Sequence, residues 1–335
     1  MAQLRYRVRI FYGSAAEYRN RMKEPIPRID TSPALREKIL PYCRLQHGGV
    51  WSDPDGKHLV AVADAAATSD VSALMTGSKI DCAVQDPPYN LQVGGKNSGS
   101  LFQHSVNEYI NFSRKWVRNT AGYLAEDSHF YIWLGADQKN HFQPLPDFML
   151  MMRDFSKLHS RSFITLRNQR GYGTQKNWMC IRQELLYYTK GNPDFSVIYT
   201  DIPKVLKGYY KTVSGKRTEN LERSRSDTIR PGNVWLDIQQ IFYRMEENVP
   251  GTYAQKPLKA ILRIIESSTK PGGLTADYFS HAGTTLLASE ILGRRCITFD
   301  ISPIYAELSI RRLEHYRNTG KTGWQCENPF PELDS

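Results

Sequence analysis

The sequence lacks the cysteine and histidine patterns that build disulfide frameworks or zinc sites. Its five cysteines are odd in number, lie far apart and include no CxxC pair, which argues against both a disulfide scaffold and a zinc knuckle. The eight histidines form no HExxH and no HxE…CxxC arrangement, which argues against zinc hydrolases and zinc deaminases. We therefore expect no metal.

Long apolar runs are also absent. No stretch approaches the roughly 18 apolar residues that a membrane-spanning helix needs, and the first residues lead into arginine-rich sequence instead of a signal-peptide core. A hydrophobic share of 40% in 335 residues is enough for one large catalytic domain with a smaller appendage. We expect a soluble, cytoplasmic protein that does not contact a membrane.

Positive charge exceeds negative charge, since 44 lysines and arginines against 34 acids give a net charge of +10. Three clusters carry the excess: residues 1–28 hold seven basic and two acidic residues, residues 151–182 hold seven and one, and residues 203–230 hold eight and three. One such run is as often a solvated surface as a binding site, but three in one chain fit contacts to phosphates better. Nucleic acid is therefore the expected partner.

Apolar segments alternate with helical stretches between residues 58 and 190. Buried strands are predicted at Leu59–Ala63, Ile80–Gln85, Phe130–Leu134, Phe163–Leu166 and Leu185–Thr189, and helices within 105–125 and 143–155. This alternation predicts an α/β domain with a parallel sheet.

A second α/β section begins near residue 254. Leu258, Ile261, Leu262 and Ile265 have the spacing of one buried helix face, and Pro257 suits the first helical turn. The segments that follow are predicted as a strand at Leu274–Phe279, a helix at Thr284–Leu292, a strand at Cys296–Asp300 and a helix opening at Ser302-Pro303. Between the two sections, residues 192–250 are poor in apolar periodicity and rich in Lys, Arg and Tyr, which predicts an inserted substrate-recognition region.

The strongest chemical signal is Asp86-Pro87-Pro88-Tyr89-Asn90, directly after the predicted strand at Ile80–Gln85. The carboxyl ends of strands are where α/β sheets bind ligands. An amino group conjugated to a ring is a poor nucleophile, and two hydrogen-bond acceptors, the Asp86 carboxylate and the Pro87 carbonyl, can orient it for reaction. Tyr89 offers a face on which a base can stack. Taken alone, the motif could equally be a rigid turn.

A second signal is the segment 277–285, in which Asp277 closes a predicted strand and Gly283 lets a nucleotide-like cofactor approach the backbone. Asp300 closes the next strand, 23 residues later. A carboxylate at that separation suits a ribose diol, although Asp300 alone could equally cap a helix.

These residues together resemble the β-class DNA amino-methyltransferases, in which the catalytic motif precedes the cofactor motif. The D/N/S-P-P-Y/F/W motif of that family matches residues 86–89, and its D-x-F-x-G-x-G-T-T motif matches Asp277, Phe279, Gly283, Thr284 and Thr285. Lys256-Pro257 matches a Lys-Pro element, and Asp300 matches the acid on the second strand. Trp133, Glu184 and Lys190 are weaker matches.

The resemblance implies a Rossmann-like class I methyltransferase fold with a mostly parallel seven-stranded sheet, circularly permuted, and with an inserted target-recognition region. The implied divisions are a basic N-terminal extension (1–56), a catalytic half (57–190), a target-recognition region (191–250), a cofactor-binding half (251–320) and a tail (321–335). The implied cofactor is S-adenosyl-L-methionine and the implied substrate is duplex DNA, with a homodimer and a cognate restriction endonuclease as candidate further partners.

The predicted site residues fall into three groups. The catalytic group is Asp86, Pro87, Pro88 and Tyr89. The cofactor-binding group is Asp86, Lys256, Pro257, Asp277, Phe279, Ser280, His281, Gly283, Thr284, Thr285 and Asp300. The substrate-binding group is Tyr89, Asn90, Lys204, Lys207, Tyr209, Tyr210, Lys211, Lys216 and Arg217.

One residue departs from the family pattern, because His281 stands where the family has glycine. We expect site-specific methylation of the N6 amino group of adenine by base flipping, since cytosine-N4 enzymes usually have serine where this chain has Asp86. Three alternatives stay open: cytosine-N4 methylation; a catalytically inactive, methyltransferase-derived DNA-binding protein, which the departure at His281 suggests; and methylation of RNA or of protein glutamine.

Overall fold

A computed structural model describes residues 26–88, 105–135, 143–172, 178, 180–204, 209–220, 226–239, 241 and 244–334. The strands in these ranges are β1 (Val50–Ser52), β2 (His58–Val62), β3 (Ile80–Gln85), β4 (Leu124–Leu134), β5 (Leu158–Tyr172), β6 (Cys180–Lys190), β7 (Tyr209–Val213), β8 (Lys216–Asn220), β9 (Val234–Trp235), β10 (Leu274–Asp277) and β11 (Arg295–Asp300). The α-helices are α1 (Pro33–Ile39), α2 (Thr68–Met75), α3 (Val106–Tyr123), α4 (Leu145–Met152), α5 (Leu258–Ser268), α6 (Thr284–Ile291) and α7 (Pro303–Thr319).

The main sheet has the strand order β1-β2-β11-β10-β3-β4-β6-β5-β9. Strands β2, β11, β10, β3 and β4 are mutually parallel, whereas β6 runs antiparallel to both β4 and β5. Because β10 and β11 come late in the chain and lie between β2 and β3, the C-terminal section completes the sheet that the N-terminal section begins. The predicted α/β fold with a mostly parallel sheet is confirmed.

Two details of the sheet were not predicted. Short strands β1 and β9 extend the seven central strands to nine at the two edges. Strand β6 is antiparallel because only residues 173–179 separate it from β5, whereas a parallel crossover needs about a dozen residues or more.

The predicted helices form where the sequence supplies caps and an apolar face. The Ser105 hydroxyl accepts from Glu108 N, and the Glu108 carboxylate accepts from Ser105 N, so a capping box starts α3. Helix α7 begins at Pro303 and ends at Gly320, which has a left-handed φ of 73°. Helices α3 and α4 cover one face of the sheet and α5 and α6 the other, which gives three layers.

The described parts of the predicted N-terminal extension and C-terminal tail pack together against α7. Ile29 and Ile39 from the first part and Trp324 and Phe330 from the second are buried with Leu308. None of the described helices combines the length and the apolarity that crossing a membrane requires.

The middle region is anchored on α5 and contains a small hairpin. Ser196 N donates to Ser267 O, and Asp237 pairs with Arg263 at 2.5 Å. Thr200 N and Lys204 N donate to carbonyls of residues 229 and 227, which forms a stem. Beyond this stem, β7 and β8 pair as a separate two-stranded sheet.

Candidate active site at the carboxyl edge of the sheet

Three neighbouring strands end in acidic residues at one edge of the sheet. Asp86 follows β3, Asp277 is the last residue of β10, and Asp300 is the last residue of β11. The strands are parallel and adjacent, so the three ends share one edge. Gln85 Oε1 accepts from Tyr278 N at 2.8 Å and ties the first two strand ends together.

An ion pair joins Asp86 of the predicted catalytic motif to Lys256 of the predicted cofactor-binding group. Lys256 Nζ donates to Asp86 Oδ2 at 2.6 Å, and the lysine side chain is only 5% exposed. The ammonium also lies 5.4 Å from the centroid of the Trp133 ring. Because charge-assisted hydrogen bonds are short and strong, this contact fixes the orientation of the Asp86 carboxylate. Tyr89 and Asn90 lie outside the described residues.

Asp277 organises the loop that follows β10. Its two carboxylate oxygens accept from Phe279 N at 3.0 Å and from the Thr285 hydroxyl at 2.6 Å. Gly283 has φ of 68°, and a Cβ atom there would lie 2.8 Å from Ser309 Cα, so only glycine fits. Burial of Asp277 raises the pKa of its carboxyl to about 8.

Asp300 receives two backbone donors at the end of β11. Its Oδ2 accepts from His281 N at 3.0 Å and its Oδ1 from Ser302 N at 2.9 Å. Burial raises the pKa of this carboxyl to about 6, although the two N–H groups act in the opposite direction. Asp300 therefore fixes the loop at His281 and the start of the segment that leads into α7.

His281 adopts a backbone conformation that explains the family preference for glycine at this position. Its φ is 43°, and its ring centroid lies 4.6 Å from that of Tyr305. The Tyr305 hydroxyl donates to Asp30, so Tyr305 connects His281 to the N-terminal segment. Burial lowers the pKa of His281, which favours the neutral imidazole.

The strain at His281 can be measured by comparing two variants. Both His281→Ala and His281→Gly lose the ring, but only glycine accepts the positive φ without a side-chain penalty. We expect the glycine variant to be more stable than the alanine variant by about 1 kcal/mol. Urea unfolding of both variants measures the difference. A more stable alanine variant would show that the left-handed conformation is not retained.

Arg312 supports the same loop from within the protein. The guanidinium is fully buried and donates to Ala282 O at 2.7 Å, to the Thr284 hydroxyl at 3.1 Å and to Thr322 O at 2.8 Å. A further contact of 3.3 Å reaches Glu247 O. Arg312 thus ties the loop to the C-terminal segment and to the chain that precedes α5.

Asp86 and seven of the predicted cofactor-binding residues line a cavity that opens to solvent, whereas Pro87, Pro88, Pro257, Gly283 and Asp300 are not part of its lining. Its lining consists of Val84, Asp86, Trp133, Lys256, Ile261, Asp277, Phe279, Ser280, His281, Ala282, Thr284 and Thr285. The apolar and aromatic side chains and the hydroxyls of this lining together suit a ligand that has both apolar and polar parts. Trp133 Nε1 is buried and has no hydrogen-bond partner in the described part of the chain, so a ligand acceptor could satisfy it.

None of the predicted substrate-binding residues that the structure describes lines this cavity, and the others lie outside the described residues or have undescribed side chains. Lys204 is in the stem of the middle region, and Lys216 and Arg217 are exposed on β8. Lys207 lies outside the described residues, as do the side chains of Tyr209, Tyr210 and Lys211. Among the described residues, no group of three or more His, Cys, Asp or Glu side chains could hold a metal ion.

Three residues of the site were missed by the sequence analysis. Arg312 lies on the buried face of α7, where only its charge in an apolar pattern could have marked it. Tyr305 and Asp30 carry no local signal, because they meet His281 only in the folded chain.

The sheet order and the cavity at its carboxyl edge define an α/β methyltransferase. A sequence model of the DNA methylases of the N6/N4 type matches residues 80–311. The match covers more than half of the chain, and the chain belongs to this family.

Among the relatives, Type II methyltransferase M.HpaI from Haemophilus parainfluenzae is 26% identical over 238 residues, which are 71% of this chain and 69% of M.HpaI. DNA adenine methyltransferase YhdJ from Escherichia coli strain K12 is 25% identical over 243 residues, 71% of this chain and 78% of YhdJ.

Solved structures share the fold. The PvuII DNA methyltransferase, described as cytosine-N4-specific, is 16% identical with a TM-score of 0.53, and the match covers 76% of this chain and 85% of PvuII. The M1.HpyAVI–SAM complex is also 16% identical, with a TM-score of 0.50, and the match covers 76% of this chain and 98% of M1.HpyAVI.

Proposed function

We propose that this DNA methyltransferase transfers a methyl group from S-adenosylmethionine to the N6 amino group of adenine in duplex DNA. The observation that carries the proposal is the position of Asp86. Its carboxylate lines the same cavity as the loop after β10, so an amino group held at Asp86 would lie next to a cofactor held by that loop. Asp86 is also held in place by Lys256 at 2.6 Å.

The cofactor would be held by three parts of the chain. Phe279 and Ser280 line its cavity, Lys256 fixes the carboxylate of Asp86 beside it, and Asp300 would supply the carboxylate for the ribose. S-adenosylmethionine supplies an electrophilic methyl group on a sulfonium, a chemistry that needs no metal and no covalent enzyme intermediate.

The catalytic residues act on the base amine. Asp86 accepts a hydrogen bond from one N–H, and the Pro87 carbonyl accepts from the other, which directs the nitrogen lone pair toward the methyl group. Methyl transfer would break the sulfur–methyl bond of S-adenosylmethionine as the nitrogen–methyl bond forms, and Asp86 or water would take the displaced N–H proton. Tyr89 provides the stacking surface for the base.

Recognition of DNA is assigned to the middle region. The insert at 191–250 contains the stem and the β7–β8 hairpin, which is a sheet of its own, and these parts carry the basic residues Lys204, Lys216 and Arg217. These cations would contact phosphates, and the base would leave the helix to reach Asp86. The catalytic and cofactor-binding halves are then residues 57–190 and 251–320.

Methylation of cytosine N4 is the second candidate, because the same geometry orients either amine. The adenine assignment is supported by Asp86 at the first position of the motif and by the relative YhdJ, which is described as a DNA adenine methyltransferase. The structural relative PvuII, described as cytosine-N4-specific, supports the alternative.

Long-read sequencing tests the proposal. The chain is expressed in a host that lacks DNA methylation, and the genomic DNA is read for modified bases. We expect N6-methyladenine at one short sequence throughout the genome, and none in cells with an empty vector. Modification of cytosine alone would replace the adenine assignment by the cytosine-N4 alternative. Unmodified DNA from cells that contain folded protein would contradict the proposal.

Cofactor binding should depend on pH through Asp300. Its pKa of about 6 means that the carboxyl is largely protonated at pH 5 and ionised at pH 7. The ribose hydroxyls donate better to the ionised carboxylate, so binding should release a proton near pH 6, and affinity should rise about tenfold between pH 5 and pH 7. Protonation of His281 at low pH would weaken binding further.

Other charges also face this part of the site, namely Asp30, Asp86, Asp277, Lys256 and Arg312. Isothermal titration calorimetry in two buffers of different ionisation enthalpy measures the proton release. The Asp300→Asn variant is the control and should bind with a flatter pH profile. Equal profiles for the variant and the wild type would remove Asp300 from the cofactor site.

A further inference from the structure

His281 places an imidazole on the wall of the cavity, where a glycine would leave only backbone. The residue is partly buried and lines the cavity together with Asp86. Its backbone is engaged, since its N–H donates to Asp300 Oδ2 at 3.0 Å and its carbonyl oxygen lies 3.4 Å from the Ser309 hydroxyl. Among the described residues, none forms a hydrogen bond with either ring nitrogen. Both nitrogens can therefore serve a ligand in the cavity.

The position of the imidazole is fixed although its nitrogens are not used in this way. The ring of Tyr305, which is itself buried, lies 4.6 Å from the His281 ring between centroids, and the Tyr305 hydroxyl donates to Asp30. The φ of 43° at His281 is unfavourable for a residue with a Cβ atom. Residues held in such conformations cluster at functional sites. A rigidly held ring in a strained residue at the cavity wall therefore points to a role toward the ligand.

A charge on this ring would act on the reacting part of the cofactor. The methyl group must lie close to an amine oriented by Asp86, and the Asp86 charge already acts on the imidazole. Two unit charges about 10 Å apart change a binding constant by roughly tenfold at an effective dielectric constant of about 20. The protonation state of His281 is therefore close enough to influence a positive charge on the cofactor sulfur.

Methyl donation changes the charge of the cofactor at that one atom. The sulfur of S-adenosylmethionine is a sulfonium cation, whereas the sulfur of S-adenosylhomocysteine, which remains after transfer, is an uncharged thioether. The adenine, the ribose and the amino-acid part are the same in both molecules. The ratio of the two affinities therefore reports the charges near the sulfur and not the contacts to the ribose.

Burial keeps the imidazole neutral near pH 7. It is the largest effect on the pKa of His281 and lowers that pKa; two nearby acids act in the opposite direction, and two nearby cations act with burial. The charged and titratable groups that face His281 from the surrounding elements are Asp30, Asp86, Lys256, Asp300, Tyr305 and Arg312.

We propose that His281 determines how strongly the site prefers S-adenosylmethionine to S-adenosylhomocysteine, because the neutral imidazole accommodates the sulfonium whereas the imidazolium repels it and accepts the uncharged thioether. This assignment rests on the proposed function, since it requires the methyl donor in this cavity. A glycine at position 281 would supply no such discrimination. The spent cofactor should therefore compete more strongly with fresh cofactor as the pH falls.

Isothermal titration calorimetry with each of the two cofactors tests the proposal on the full-length protein. We expect the ratio of the affinity for S-adenosylmethionine to that for S-adenosylhomocysteine to fall about threefold to tenfold between pH 8 and pH 5 in the wild type. His281→Asn keeps a polar side chain that tolerates a positive φ but does not titrate. Its ratio should change less than about twofold over the same range.

His159→Asn is the matched control for that variant. His159 is an exposed histidine at the start of β5, and it does not line the cavity. Its loss should leave the pH dependence of the affinity ratio as it is in the wild type.

Nuclear magnetic resonance provides a readout that does not depend on catalysis. The imidazole C–H signals of the histidines are followed against pH, and the signal missing from His281→Asn identifies residue 281. Because binding and protonation are linked, the pKa of His281 should be lower in the complex with S-adenosylmethionine than in the complex with S-adenosylhomocysteine. Equal values in the two complexes would overturn the proposal.

The outcomes separate the role of His281 from the function on which it rests. If the wild-type ratio does not change with pH, or if His281→Asn retains the wild-type dependence, the role of His281 is overturned. In the second case another group, such as Asp300, causes the dependence. The proposed function stands in both cases as long as the wild type methylates DNA. If the folded wild type binds neither cofactor, both proposals are overturned.

Discussion

The Asp86→Ala variant is expected to lose methyl transfer by about a thousandfold or more while it still binds S-adenosylmethionine. The carboxylate is the acceptor that aligns the amino group, and removal of a group that acts mainly in the transition state lowers kcat more than it changes binding. Transfer of labelled methyl to duplex DNA measures the rate, and calorimetry measures cofactor affinity. Asp86→Asn should also be impaired, since its amide has lost the charge that Lys256 pairs with.

Asp154→Ala provides the matched control for that experiment. Asp154 is an exposed acid that pairs with Arg114 at the end of α4, far from the cavity. The control should retain full activity, because surface ion pairs contribute about 0–1 kcal/mol. An Asp86→Ala variant that methylates at the wild-type rate would remove Asp86 from its assigned role.

The Arg312→Met variant is expected to destabilise the protein by about 4 kcal/mol. Methionine fills a similar space but leaves the carbonyls of Ala282 and Thr322 without their donor inside the protein. A change of that size is a large fraction of the stability of a typical domain. Urea unfolding monitored by circular dichroism measures it.

Arg295→Met is the control for this prediction. Arg295 is also an arginine that donates to a backbone carbonyl, that of Gly272, but it is exposed. Its loss should cost less than about 1 kcal/mol. Equal effects for the two variants would mean that burial of Arg312 does not determine its contribution.

The elements and the active-site motif could be predicted because their signals are local. An apolar run that ends at Asp86-Pro87-Pro88 indicates a strand end with a fixed turn whatever surrounds it. The spacing of Leu258, Ile261 and Ile265 likewise predicts a buried helix face, and α5 covers these positions.

The remaining features depend on contacts between distant parts of the chain. Asp30 and Tyr305 are 275 positions apart, and Lys256 and Asp86 are 170 apart. Lys256 was named only through its resemblance to a family motif, and its ion pair with Asp86 had no sequence signal of its own. The direction of β6 could have been foreseen from the short connection to β5, since the length of that connection excludes a crossover.

The central claim is methylation of adenine N6, and nucleoside analysis tests it most directly. Genomic DNA from a host without methylation is incubated with the purified protein and S-adenosylmethionine that carries a deuterated methyl group, then digested and analysed by mass spectrometry. We expect the label in N6-methyladenine, and no label in DNA treated with the Asp86→Ala variant. Label found in N4-methylcytosine without N6-methyladenine would contradict it.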